Sequence, residues 1–151
     1  MQNTGGELSQ EHILVCLSSS PSNERIVRMA GTMAQAFCGS FTALYVQTPG
    51  DAAMNAEDTL RLQANIRLAQ HLGAEIVTMH GEDVPTQITE YARLSGVTKI
   101  VIGRSGVQRR HFWSEPTLTE RLIALAPEVE IHIIPDAEVY KSLHRKRPIA
   151  I

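Results

Sequence analysis

Five short apolar runs punctuate the chain, and between them apolar residues recur at helical spacing. The first run, 13–17, has no polar alternation, the pattern of a parallel strand buried on both faces. Ile26, Ala30, Met33 and Phe37 follow with a helical period, and Gly39 is a natural stop, which predicts a helix over 23–38. The second strand is expected at 41–46, a loop with Pro49 and Gly50 at 47–51, and a long helix at 53–72 with Leu62, Ile66 and Ala69 on one face. The third strand falls at 74–79. A shorter helix carries Val84, Ile88 and Ala92 and ends near Gly96. The fourth strand is 99–102, a long loop runs from 103 to 116, a last helix covers 118–125, and a fifth strand, 130–134, is stopped by Pro135.

Strands alternating with helices over short connections imply βαβ units and a parallel sheet. Right-handed crossovers place the helices on both faces. The expected fold is therefore α/β: a doubly wound, Rossmann-like, five-stranded parallel sheet in the order 3-2-1-4-5. The 151 residues fit one domain, placed at 12–136. A polar lead-in occupies 1–11. A basic tail at 137–151, with Lys141, His144, Arg145, Lys146 and Arg147, reads as a solvated segment.

Composition narrows the function classes. A net charge of −2 gives no global field that would draw the chain to nucleic acid. No apolar run approaches the ~18 residues of a membrane span, so no membrane insertion is expected. Cys16 and Cys38, both inside apparent secondary structure, read as reduced, buried thiols of a cytoplasmic protein. No Cys/His cluster suggests a metal.

In doubly wound sheets, ligands bind beyond the carboxyl ends of the strands, where strand order reverses. Two loops meet there. The first offers Ser18, Ser19 and Ser20 ahead of a helix start, where hydroxyls and free amides favour phosphate oxygens. The same serines, or Ser22 or Asn23, also suit a helix cap. The second loop holds Gly103, Arg104, Ser105, Gly106, Arg109, Arg110, His111, Phe112 and Trp113. Arginine grips phosphate in bidentate fashion and aromatic rings stack on bases; equally, such rings tuck against a core. Tyr45 ends the second strand beside the same crevice.

Ser18-x-Ser20, twenty residues, then Phe41-Thr42-Ala43-x-Tyr45 is a specific spacing. With it the chain resembles the universal stress protein-like domain in the cytoplasmic region of KdpD-type potassium sensor kinases, over about 12–136. The stretch 100–105 and Ala126-Pro127 share the likeness. The resemblance implies binding of cyclic di-AMP, carried onto Ser18, Ser20, Phe41, Thr42, Ala43 and Tyr45. Ser18 and Ser20 would meet phosphate or ribose oxygens, and Thr42, the Ala43 backbone and Tyr45 would wall the pocket. Ser19, Gly103, Arg104, Ser105, Gly106, Arg109, Arg110 and Trp113 are added from charge and location alone.

The wider family includes ATP binders with a Gly-x2-Gly-x9-Gly-[Ser/Thr] pattern after the fourth strand. Here Gly103 and Gly106 match, but Pro116 stands where the third glycine would, followed by Thr117. Proline lacks the backbone donor, and Ser18 replaces the acidic residue those proteins carry after the first strand. Three readings follow. The first is a non-catalytic regulatory module that takes a nucleotide and works with other domains of a parent sensor kinase. The second is a stand-alone ATP- or AMP-binding stress protein. The third is a ligand-free interaction module docking through Phe112 and Trp113, with self-association as a homodimer left open.

Overall fold

A computed structural model describes residues 10–104 and 115–135. Of the candidate ligand residues, Ser105, Gly106, Arg109, Arg110 and Trp113 lie outside the described residues, as do His111, Phe112 and the basic tail.

The element order is β1 (His12–Cys16), α1 (Asn23–Ala36), β2 (Ser40–Gln47), a short 3-10 turn (Pro49–Ala53), α2 (Ala56–His71), β3 (Glu75–His80), α3 (Val84–Ser95), β4 (Lys99–Gly103), α4 (Leu118–Leu125) and β5 (Glu130–Ile134). The sheet is parallel throughout, in the order β3-β2-β1-β4-β5. This is the expected doubly wound α/β architecture. The chain runs outward from β1 to β3, then returns through α3 to start β4 on the other side of β1. The switch point therefore falls between β1 and β4.

Alternation along the strands divides the core into two layers. Ile13, Val15, Ala43 and Val101 face one way and pack with Ile26, Val27 and Ala30 of α1 and Leu62 and Ala69 of α2. Leu14, Leu44, Ile100 and Ile102 face the other and pack with Ile88 and Ala92 of α3 and Leu122 of α4. Both faces of β1 are thus dry, which explains why its sequence shows no polar alternation.

Helix ends follow local chemistry. Asn55 Oδ1 accepts from Asp58 N–H at 2.7 Å and starts α2. Asp83 accepts from Thr86 N–H and starts α3. Gly96, at φ 67°, ends α3 in the left-handed conformation that glycine tolerates best.

The end of α1 departs from expectation. The helix stops at Ala36, and Cys38, not glycine, takes the left-handed turn at φ 52°. Cys38 is exposed rather than buried. Gly39 is needed for a different reason: a Cβ there would stand 2.5 Å from the Glu11 carbonyl oxygen. Phe37, expected on the buried stripe, is 45% exposed and lies under the Lys99 ammonium, 4.8 Å from its ring centre. Glu11, assigned to the lead-in, belongs to the fold: its carbonyl accepts from Ser40 N–H and its carboxylate pairs with Lys99. Among the described residues no helix is long and apolar enough to cross a membrane.

Candidate functional site

A cavity of about 390 Å³ opens at the carboxyl ends of β1, β2 and β4, over the switch point. Its floor is apolar, with Leu17, Leu44, Val46, Ile88, Ile102 and Leu118. Its polar rim comes from Ser18, Ser19, Ser20, Ser22 and Asn23 on one side and Tyr45, Thr48 and Asp51 on the other. Gly103 closes the β4 side. The arrangement suits a ligand with a flat apolar body and polar ends.

The serine loop is wired to the domain by three side chains. Asn23, 2% exposed, donates to the Cys16 carbonyl at 2.9 Å and accepts from Ser18 N–H at 3.2 Å. Asn65 of α2, 4% exposed, donates to the Ser18 carbonyl at 2.9 Å. Arg61, one turn earlier, donates to the Ser19 carbonyl at 3.0 Å. Leaving such an amide buried without partners would cost roughly 1–3 kcal/mol, so the asparagines and the loop hold each other in one geometry.

The hydroxyls within the loop mostly accept. Ser20 N–H donates to Ser18 Oγ at 3.2 Å, and Ser22 N–H donates to Ser20 Oγ at 3.3 Å. Ser20 Oγ and Ser22 Oγ share one hydrogen bond at 2.9 Å. Ser22 occupies the N-cap of α1 but its side chain makes no cap bond. Helix capping in its usual form therefore does not account for these serines. A hydroxyl that accepts from backbone keeps its own proton to give. Among the described residues nothing takes the Ser18 hydroxyl proton, and the Ser20/Ser22 pair likewise keeps one.

The opposite rim is anionic. The Tyr45 hydroxyl donates to Asp51. Thr48 N–H and Thr48 Oγ1 also donate to that carboxylate, at 3.3 and 3.1 Å. The phenol and the Thr48 donors hold the Asp51 carboxyl below its ordinary range, against the opposing effect of burial. Burial first, then the neighbouring carboxylate, pushes the Tyr45 phenol well above its ordinary value. Asp51 is thus a carboxylate and Tyr45 a neutral phenol at neutral pH. Burial pushes the Cys16 thiol up to about 12, so this cavity residue is no nucleophile.

Of the described candidates, Ser18, Ser19, Ser20, Tyr45 and Gly103 line the cavity together. Phe41, Thr42 and Ala43 do not. They lie in the first half of β2; Ala43 precedes Tyr45 by two residues and Phe41 by four, so at ~3.3 Å per residue they stand ~7 to 13 Å short of it. Phe41 packs under Gly31 of α1, Thr42 Oγ1 lies 2.7 Å from His12 Nε2, and Ala43 is fully buried between the layers. Of the wall expected from Thr42, the Ala43 backbone and Tyr45, Tyr45 lines the cavity, and Leu44 and Val46 complete that side in place of the other two. Arg104 is exposed and does not line the cavity. Thr117 uses its hydroxyl to accept from Glu120 N–H at 3.2 Å and cap α4.

Asp51, Asn23 as a loop clamp, Arg61 and Asn65 were not anticipated as parts of the site. Asn65 left a trace: it is an amide inside the apolar stripe of Leu62, Ile66 and Ala69.

The model of the universal stress protein family matches residues 10–127. The chain belongs to the universal stress protein family. It is 35% identical over 136 residues to the sensor protein KdpD of Clostridium acetobutylicum, covering 88% of this chain and 15% of that protein. It is 30% identical over 122 residues to the sensor protein KdpD of Escherichia coli, covering 81% of this chain and 13% of that protein. The chain thus spans a small part of the KdpD relatives it matches, in keeping with the likeness read from its motif. Among solved structures, a universal stress protein in complex with cAMP superposes with a TM-score of 0.67 at 18% identity, over 85% of this chain and 98% of that one. The universal stress protein of Archaeoglobus fulgidus in complex with dAMP superposes at 0.50 and 20% identity, over 85% and 98%. At these identities the superpositions establish the shared fold.

Proposed function

We propose that this domain is a regulatory nucleotide receptor of a KdpD-type sensor protein, binding an adenine nucleotide at the switch-point cavity and doing no chemistry on it. By the family resemblance that Ser18-x-Ser20 and Phe41-Thr42-Ala43-x-Tyr45 carry together, the ligand is cyclic di-AMP. The observation that carries the reading is the hydroxyl array after β1: Ser18 and Ser20 accept from their own backbone, leaving hydroxyl protons for an incoming anion. Each N–H to hydroxyl bond polarises the proton it leaves free. The start of α1, with Ser22 and Asn23 on the rim, adds the positive end of a helix dipole. The apolar floor suits a purine face.

The two rims give the ligand a direction. Asp51 repels phosphate and accepts hydrogen bonds, so the phosphate lies on the serines and a ribose hydroxyl or base amine faces Asp51. Phe41, Thr42 and Ala43 then act at a distance, as packing that fixes the strand presenting Tyr45.

A single adenine mononucleotide is the second reading, favoured by the cAMP and dAMP complexes of two structurally similar proteins. Calorimetry of the purified domain with cyclic di-AMP, AMP and ATP separates the two. Saturable heat with cyclic di-AMP in preference to AMP and ATP supports the first, preference for AMP the second, and no heat with any of the three at high concentration removes both.

A further inference from the structure

Two backbone carbonyls of the serine loop are turned toward α2 and held there. Asn65 Nδ2 grips the Ser18 carbonyl at 2.9 Å and Arg61 Nη1 grips the Ser19 carbonyl at 3.0 Å. A trans peptide sets its N–H opposite its C=O. Fixing these two carbonyls on α2 therefore turns the Ser19 and Ser20 amides away from that helix. The Ser20 amide is used by Ser18 Oγ. The Ser19 amide has no protein partner among the described residues, and Ser19 lines the cavity.

Arg61 is not itself free to take a phosphate. Its Nη2 donates to Glu57 at 3.0 Å, and Nη1 also donates to Asp58 at 3.1 Å. Two carboxylates neutralise it and fix its fork, so what it offers the loop is direction rather than charge. Asn65 is almost fully buried, and the Ser18 carbonyl is the partner its amide finds.

We propose that Arg61 and Asn65 are positioning residues of the nucleotide site: by holding the carbonyls of Ser18 and Ser19 on α2 they present the Ser19 amide, beside the serine hydroxyls, to the phosphate of the ligand. Without them either peptide can turn over, and a carbonyl oxygen would then face the anion in place of a donor. This assignment rests on the nucleotide reading above and adds two residues to it that touch no ligand atom.

The test titrates cyclic di-AMP, AMP and adenosine in parallel into the wild-type domain and into Arg61→Met, Arg61→Lys and Asn65→Leu. Arg61→Met and Asn65→Leu are expected to weaken the phosphate-bearing ligands about tenfold, the size of one lost charge-assisted hydrogen bond, and to leave adenosine unchanged. Arg61→Lys, which can still donate to the Ser19 carbonyl, should recover most of the loss. Equal weakening of adenosine, or unchanged affinity for the nucleotides, overturns the assignment. Arg61 is partly exposed, so Arg61→Met keeps the test decisive if Asn65→Leu unfolds. Wild-type binding with unaffected variants overturns this assignment alone, whereas a wild-type domain that binds no nucleotide overturns the reading beneath it as well.

Discussion

The two ends of the sheet are both polar, and they handle polarity in opposite ways. At the amino end, Lys99 is only 5% exposed, yet its ammonium donates to Glu11 at 2.5 Å and Glu130 at 3.2 Å and lies against the Phe37 ring. His12 beside it is held through Nε2 to Thr42 and Nδ1 to the Ser95 carbonyl. The groups there are matched to one another. At the carboxyl end the bookkeeping is unbalanced: the carbonyls of Cys16, Ser18 and Ser19 are met by Asn23, Asn65 and Arg61, while among the described residues hydroxyl protons and the Ser19 amide are left over. Polar groups that close on each other serve stability, and polar groups held rigid with donors to spare serve a ligand.

The sharpest way to break this contrast is at the amino end. Lys99→Met should leave Glu11 and Glu130 facing each other without their cation. The melting temperature is expected to fall by a few degrees, since both ion pairs of the buried ammonium are lost while the partly exposed Glu11 and exposed Glu130 carboxylates turn to water. Nucleotide affinity, measured on the folded variant, should stay near the wild-type value. The pair also sets a pH dependence. The Glu11 carboxylate raises the Lys99 ammonium above its ordinary range, so its contribution is complete below that range and is lost as pH rises through the folded value.

The complementary change is at the carboxyl end. Ser18→Ala/Ser20→Ala should lower affinity for the nucleotide by about tenfold or more while moving the melting temperature little. A large loss of stability with intact binding would return these serines to a purely structural role.

Much of the scaffold is legible in the chain because it follows local periodicity. The last helix and last strand fall where the apolar pattern puts them, and the remaining strands agree to within a residue or so. Tertiary geometry decides the rest. Phe37 continues the helical period of Ile26, Ala30 and Met33, but the chain leaves the helix one residue earlier and the ring covers Lys99 instead. Ser18, Ser20 and Tyr45 could be read because one strand end and one strand carry them. Arg61 and Asn65 reach the loop from 42 and 47 residues away, a pairing that no local pattern encodes. The Phe41-Thr42-Ala43 triplet lies on the strand that brings Tyr45 to the cavity, but its side chains face the packing layers.

Two smaller changes sharpen the contrast at the cavity rim. Arg121 and Thr86 bring the Asp83 carboxyl down to about 2, tying α3 to α4 next to the cavity residues Val84 and Leu118. A depressed carboxyl contributes stability above its unfolded value, near 4, and loses it as pH falls through about 2. Asp83→Asn should therefore lower the melting temperature at pH 7, where the contribution is complete, and flatten its fall between about pH 4 and pH 2. Tyr45→Phe removes one donor from Asp51. It should cost about 1 kcal/mol of stability in urea titration, and the Asp51 carboxyl should move back up toward its ordinary range.

The most direct test of the central claim is an amide-resolved nuclear magnetic resonance titration of the labelled domain with cyclic di-AMP. Saturable shifts should concentrate at Ser18, Ser19, Ser20, Ser22, Asn23 and Gly103, with Ser19 among the largest, while Glu11, His12 and Lys99 stay still. No shifts at saturating ligand, or shifts centred on the amino end of the sheet, would contradict it.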